Sequence, residues 1–171
     1  RLGLGFFVGG CLAAVGVTLQ ALLRNPLADP YVLGVSGGAA VGASLAIVTG
    51  LSAAGVVWLP LSAFGGSILS LVLLYRIAAT YGYLSVHTLL LAGVIINALF
   101  SALIMFMTSL MDPTHAFRVL SWMLGALAAP DDIALAVVAS FLTFGGLLLG
   151  RQARALNLLT VNGLTAAQAV L

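Results

Sequence analysis

The chain has 171 residues, of which 63% are hydrophobic and only 6% are charged, and its formal net charge is +2. A soluble domain carries about 25% charged residues because its surface faces water. This composition therefore excludes an ordinary soluble protein and predicts an all-α integral membrane protein in a lipid bilayer. Six arginines scattered singly form no basic patch, which excludes nucleic acid as a partner.

Five apolar stretches are predicted to cross the bilayer, which takes about 20 residues for a helix. They are continuously apolar rather than alternating, a pattern typical of helices and not of a membrane barrel. The second stretch is rather short, and a turn between Gly50 and Pro60 separates it from the third. The five predicted spans are residues 2–23, 35–49, 61–80, 88–111 and 133–150.

A short helix is predicted between the fourth and fifth spans. Asp112 can cap its N-terminus, with Pro113 in the first helical position, and the helix should run to about residue 126. Trp122 suits the depth of the lipid headgroups, so this helix should lie at the interface. Residues 130–132 (PDD) are expected to open the fifth span, where acidic side chains favour the positive end of the helix dipole.

The arginines favour one orientation of the five spans. With the first residue outside, four arginines are cytoplasmic and two are external, as the positive-inside rule requires. The cytoplasmic arginines are Arg24, Arg76, Arg151 and Arg154, and the external ones are Arg1 and Arg118.

Glycines four residues apart recur in the apolar stretches, and such spacing lets helix backbones approach closely in lipid. The triple Gly34, Gly38 and Gly42 is the strongest signal of close packing. Two pairs share the spacing, Gly5 with Gly9 and Gly146 with Gly150, although 20 glycines would produce some pairs by chance.

The residues give no indication of a catalytic, cofactor or metal site. His87 and His115 are far apart in the chain and are predicted on opposite sides of the membrane. Cys11 lies in an apolar run, which favours a packed, unreactive thiol. No ionisable residue falls in the middle of a span, where proton-driven carriers usually place one. The residues therefore make an intramembrane enzyme a weak interpretation and a secondary transporter only a slightly better one.

One polar stretch interrupts the apolar chain at residues 24–38, RNPLADPYVLGVSGG. Asn25 and Pro26 should end the first helix, and Pro30 prevents it from resuming. Ser36 and the glycines then permit a tight restart near membrane depth. Irregular backbone at that depth is tolerated only where it is buried in protein or lines a water-filled cavity. An ordinary inner loop is the alternative interpretation.

This stretch also carries a resemblance to a known family. Residues 18–38 are similar to the pattern Q-x-L-x-x-N-P-L-A-[DE]-P-x-x-L-G-[VI]-x-x-G-A of permease subunits of ABC importers for iron-siderophores, haem and cobalamin. Three further stretches resemble the same family in the same order: LLLAGVIINALFSAL (89–103), RVLSWMLGAL (118–127) and ALNLLT (155–160).

The resemblance implies a multi-pass subunit of the inner (plasma) membrane with ten spans. This chain would supply roughly the second to sixth spans as one incomplete permease domain, residues 1–171, ending in a cytoplasmic coupling segment at 151–171. The implied partners are a second permease subunit, cytoplasmic ATP-binding subunits and an external substrate-binding protein. ATP hydrolysis would belong to the partner subunits, so this chain is expected to be no enzyme and to hold no cofactor. The residues do not distinguish siderophore, haem and cobalamin substrates.

The resemblance also implies roles for individual residues. Arg1 falls where the family docks the binding protein, and two inner turns fall where the family closes its path. The turn residues are Asn25, Pro26 and Leu27 in the first turn, and Val86 and His87 in the second. The implied ATPase-coupling residues are Arg154, Leu156, Asn157, Leu158, Leu159, Leu164 and Ala166.

The coupling segment departs from the family pattern. The acidic pair expected after Leu159 is absent, so its contact with an ATPase subunit should be mainly apolar. The residues predict two short helices, with Thr160 or Asn162 as a cap and a break at Gly163.

Overall fold

The computed structural model describes residues 2–79, 85–125 and 132–168, without the side chains of residues 132–134, 137 and 155–168. All regular structure in these ranges is helical, which confirms the predicted all-α class. A short 3₁₀ helix at Leu51–Ala53 lies between the second and third helices. The α-helices are α1 (Leu2–Leu23), α2 (Val35–Val48), α3 (Trp58–Ala79), α4 (Val86–Leu110), α5 (Pro113–Leu124) and α6 (Asp132–Gln168).

The helices fall into two compact units, and each is described by itself. The first unit comprises Arg1–Asp29 and Leu127–Leu171, and in it α1 packs against α6. The second unit comprises Pro30–Ala126, and in it α2 packs against α3, α4 and α5. The expected single permease domain stays a prediction.

Three of the described helices, α1, α3 and α4, are long and apolar enough to cross a membrane. Helix α2 is also apolar but has only 14 residues, about 21 Å at a rise of 1.5 Å per residue. That length is less than the hydrocarbon thickness of about 30 Å. The stretch expected to form the fifth span is the first part of α6.

Local capping sets the starts of α4 and α5. Ser85 Oγ accepts a hydrogen bond from Thr88 N–H at 3.0 Å before α4. Asp112 Oδ1 accepts from Thr114 N–H at 2.9 Å and from His115 N–H at 3.2 Å before α5. The predicted cap of α5 is thus confirmed, and the helix ends at Leu124, two residues earlier than expected.

Helix α3 begins at Trp58, three residues before the predicted start, and it includes Pro60. Proline is tolerated in a first helical turn because the N–H groups there have no partner within the helix. Pro60 therefore belongs to the helix and does not mark the end of the preceding turn.

The predicted break at Gly163 is wrong, because α6 continues as one helix from Asp132 to Gln168. Neither Thr160 nor Asn162 begins a new helix. One glycine costs an α-helix only about 1 kcal/mol relative to alanine, and the leucines and alanines around it favour the helix. The expected opening of this helix by Pro130 and Asp131 lies outside the described residues.

The second unit is held together by glycine contacts between α2 and α3. A Cβ atom at Gly42 would collide with the carbonyl oxygen of Ser62, and one at Gly66 would collide with that of Gly38. The close packing predicted for the glycine triple is therefore confirmed. The other spacing signals behave differently, because a Cβ atom at Gly9, Gly146 or Gly150 would meet nothing within 4 Å.

Candidate functional site

The first candidate element is the turn after α1, which closes that helix with a left-handed residue. Arg24 has φ +48°, and Asn25 N–H reaches back to the carbonyl oxygen of Gln20 at 3.2 Å. This six-residue hydrogen bond around a left-handed residue is the Schellman type of helix ending. The chain therefore leaves α1 in a defined direction.

Asn25 then folds the turn onto itself. Its Oδ1 accepts a hydrogen bond from Leu27 N–H at 2.9 Å, and its carbonyl oxygen accepts from Ala28 N–H at 3.1 Å. Such side-chain bonds to the backbone two residues on are typical of an Asx turn. Ala28 is buried, whereas Leu27 is 82% exposed. The three expected gate residues Asn25, Pro26 and Leu27 thus share one tight turn with Leu27 at its tip.

The second candidate element is the start of α4, which contains Val86 and His87. Both lie in the first turn of the helix, just after the Ser85 cap, and His87 is exposed while Val86 is half-buried. These two residues belong to the second unit, and the turn after α1 belongs to the first. The gate role of both groups stays a prediction.

The third candidate element is the non-helical stretch of residues 30–34 that leads into α2, called here the restart segment. The carbonyl oxygen of Tyr31 accepts from Gly34 N–H at 3.0 Å and also from the Nδ2 group of Asn97. The carbonyl oxygen of Gly34 accepts from Gly38 N–H at 3.0 Å and from Ser70 Oγ at 2.8 Å. Two backbone carbonyls of this irregular stretch are each bound by a side chain from a neighbouring helix.

Helix α4 approaches the restart segment closely because it has a glycine at the contact. A Cβ atom at Gly93 would collide with the carbonyl oxygen of Val32 and lie 3.0 Å from Leu33 Cα. Gly34 itself has φ +76°, a conformation that glycine adopts without strain. The segment therefore rests directly on the backbone of α4.

Known proteins resemble this chain over almost its whole length. Residues 1–169 match the FecCD transport family. The chain is 33% identical over 163 residues to an uncharacterised ABC transporter permease, YvrB, of Bacillus subtilis, covering 94% of this chain and 46% of that protein. It is 37% identical over 163 residues to the hemin transport system permease HmuU of Yersinia pestis, covering 93% and 48%.

The chain belongs to the FecCD transport family. It spans about half the length of the curated relatives it matches. A solved structure of a metal-chelate type ABC transporter in an inward-facing conformation superposes with a TM-score of 0.79 at 30% identity. That superposition covers 90% of this chain and 48% of the transporter chain.

Family membership confirms several expectations from the sequence. The FecCD family is a transport family, as the resemblance in the sequence implied. Together with the apolar helices, it makes the chain a multi-pass protein of the inner membrane. The family match therefore favours transport over the intramembrane enzyme alternative.

The remaining site residues expected of this FecCD chain are only partly described. Arg1 lies outside the described residues. Arg154 is exposed on α6. The other expected coupling residues also lie on α6, but the structure does not describe their side chains: Leu156, Asn157, Leu158, Leu159, Leu164 and Ala166. Their role stays a prediction.

Two residues of the site were missed at the level of sequence, namely Ser70 and Asn97. Both are buried polar side chains in span candidates, with exposures of 0% and 7%. A polar residue inside an apolar span usually forms a hydrogen bond to a neighbouring helix. The isolated asparagine in VIINALF was therefore a usable signal, although it could not identify its partner.

Asp112 and His115 form a further polar pair on the other end of the second unit. His115 Nδ1–H donates to Asp112 Oδ2, and this bond, followed by backbone bonds from His115 and Thr114, holds the pKa of Asp112 below its ordinary value. Within residues 2–79, 85–125 and 132–168, no three metal-ligating side chains lie together. Asp112 caps α5 through Oδ1, and the His115 side chain binds its other oxygen.

Proposed function

We propose that this chain is part of the permease subunit of an ABC importer for a metal chelate or a cofactor of that type. The observation that carries the proposal is the match of residues 1–169 to the FecCD transport family. Named relatives include permeases for hemin, cobalamin and Fe(3+) dicitrate. The substrate class proposed here is accordingly an iron-siderophore, haem or cobalamin.

The proposed mechanism is alternating access without chemistry in this chain. The turn of Asn25, Pro26 and Leu27, together with Val86 and His87, closes the cytoplasmic end of the path. The hydrogen bonds within the turn after α1 support this role, because a gate needs a tip that moves as one piece. The exposed Leu27 side chain at that tip can block the path with apolar atoms.

The proposed partners follow from the same function. A second permease subunit, identical or related, completes the path, and cytoplasmic ATP-binding subunits supply the energy. An external binding protein delivers the substrate and docks near Arg1 through acidic side chains. Opposite charges at such a rim mainly speed association, so Arg1→Glu should slow docking most at low salt.

The test of the function is transport by the full-length permease reconstituted with its ATP-binding subunits and binding protein in liposomes. Labelled cobalamin, hemin and ferric siderophores are tested in turn. Uptake of the true substrate class should require ATP, and the other two classes should compete with it poorly. A matched control omits the ATP-binding subunits. Uptake driven by an ion gradient without ATP would instead support a secondary transporter.

The coupling role of α6 is tested with two variants in the same system. Leu164→Asp should leave ATP hydrolysis running while abolishing uptake, because a charge disrupts an apolar helix-in-groove contact. Arg154→Ala should change uptake little, since a single exposed charge contributes little energy. Normal uptake by Leu164→Asp would show that this part of α6 is only a linker.

A further inference from the structure

The restart segment contacts α3 and α4 near the middle of each helix. Asn97, which binds the Tyr31 carbonyl, is eleven residues after Val86 and thirteen before Leu110 in α4. Ser70, which binds the Gly34 carbonyl, is twelve residues after Trp58 and nine before Ala79 in α3. At 1.5 Å per residue, both contacts are about 17 Å from the start of their helix. The irregular backbone is therefore deep in the membrane.

At this depth every backbone polar group needs a partner. The local turn gives the Tyr31 and Gly34 carbonyls one donor each, and Asn97 and Ser70 give each a second. These two side chains are themselves buried, and the bond from Ser70 to Gly34 is buried with them. Each of the two carbonyls thus has two donors, and the side-chain donors tie the segment to α3 and α4.

The position of the segment along α4 is also set by shape. Gly93 and Asn97 are four residues apart and lie on the same face of α4, so both meet the restart segment. Gly93 gives room to the Val32 carbonyl, and a Cβ atom at Gly37 would lie 2.6 Å from Asn97 Oδ1. A sliding movement of the segment along α4 would lose the Asn97 bond and take the Val32 carbonyl out of the space at Gly93.

Within residues 30–34, Tyr31 is the exposed residue, and the others are half-buried or buried. The Tyr31 side chain is 62% exposed, although its backbone is bound to the middle of α4. Non-helical backbone at membrane depth is tolerated where it is buried in protein or lines a water-filled cavity. One side of this segment lies on α3 and α4, and the Tyr31 phenol is on a side that these two helices leave open.

We propose that Tyr31 lines the water-filled transport path at mid-membrane depth, and that Asn97 and Ser70 are positioning residues that hold it there. The inference rests on the proposed transport function, because the water beside Tyr31 is assigned to that path. Tyr31 would then be one of the side chains that the substrate passes.

The test uses cysteine labelling in the full-length permease assembled with its partners in membranes, after Cys11→Ser. A charged methanethiosulfonate reagent reacts with the thiolate form of cysteine, and the pKa of a thiol rises in apolar surroundings. A lipid-facing thiol should therefore react at least about tenfold more slowly than one beside water. We expect Tyr31→Cys to react at least that much faster than Leu99→Cys, a position on α4 that is 64% exposed and two residues from Asn97. Equal rates would overturn the inference.

The positioning role is tested by adding a second change to Tyr31→Cys. Asn97→Leu should alter the labelling rate about tenfold, because the segment loses the bond that fixes it, and Ser70→Ala should alter it less. Thr108→Val is the matched control, since the Thr108 hydroxyl bonds only within α4. An unchanged rate in both Asn97→Leu and Ser70→Ala would remove the positioning role, even if one of these variants assembled poorly.

Labelling needs neither substrate nor ATP, so the inference and the proposed function fail separately. A slow Tyr31→Cys rate in a protein that shows ATP-driven uptake would overturn the inference alone. A fast rate in a protein without such uptake would overturn the proposed transport function, while Tyr31 would still lie beside water.

Discussion

The two compact units use glycine in different ways. In the second unit, Gly38, Gly42 and Gly66 bring the backbones of α2 and α3 together, and no Cβ atom fits at any of them. In the first unit, α1 and α6 enclose an apolar groove of about 260 Å³ lined by Phe6 and Phe141 and by glycines 10, 145 and 146. A Cβ atom at any of these three glycines would meet nothing within 4 Å.

The difference shows that glycine spacing alone does not predict which helices pack closely. A glycine allows close approach only if another backbone lies opposite it, and in the second unit Ser62 and Gly66 of α3 lie opposite α2. The same unit contains the hydrogen bonds from Ser70 of α3 and Asn97 of α4 to the restart segment. The second unit therefore has a closely packed core, and we expect substitutions there to lower the stability of the fold most.

The largest expected effect separates two adjacent glycines of α3. Gly66→Ala should destabilise the folded protein by about 3 kcal/mol, because the new methyl group collides with the Gly38 backbone, which cannot move aside. Gly65→Ala is the matched control, since its methyl group meets nothing within 4 Å. Thermal unfolding in detergent measures both. Equal midpoints would contradict the close α2–α3 packing.

The next prediction concerns the first unit and has the opposite sign. Gly146→Ala should stabilise α6 by about 0.5–1 kcal/mol, because alanine loses less backbone entropy than glycine and finds open space here. Gly9→Ala in α1 should behave in the same way. The same unfolding measurement applies, and a loss of stability at either position would mean that another helix packs on it.

A smaller effect distinguishes an interhelical hydroxyl from a local one. Ser70→Ala should cost about 0.6 kcal/mol, the average for side-chain hydrogen bonds between membrane helices. Ser67→Ala should cost almost nothing, because Ser67 Oγ donates only to the Phe64 carbonyl in the same helix. Chemical unfolding in mixed micelles compares the two variants. Identical costs would argue against the bond from Ser70 to Gly34.

The smallest expected effect is confined to the start of α5. Since the pKa of Asp112 is lowered in the folded state, its stabilising effect is full above the ordinary aspartate pKa of about 4 and is lost as pH falls through the lowered value. Hydrogen exchange at Thr114 and His115, corrected for intrinsic rates, should show protection falling only at that acidic pH. Asp112→Asn should keep the cap and remove the pH dependence.

Much of the helical structure could be predicted from the sequence, and the exceptions have physical causes. The bounds of α1 and the start of α2 followed from apolar runs interrupted by Asn-Pro and Gly, and the Asp112 cap followed from its position before Pro113. The break expected at Gly163 failed because local propensity is a small energy that a long helix absorbs.

The sequence by itself determined that this is a helical membrane protein of a transport family, because hydropathy, capping residues and family motifs are properties of neighbouring residues. Only the tertiary structure decided which glycines are in close contact and which line an open groove. It also decided that Asn97 and Ser70 bind the backbone of the restart segment, at sequence separations of 66 and 36 residues. Such pairings depend on which faces of distant helices meet, and no local pattern encodes that.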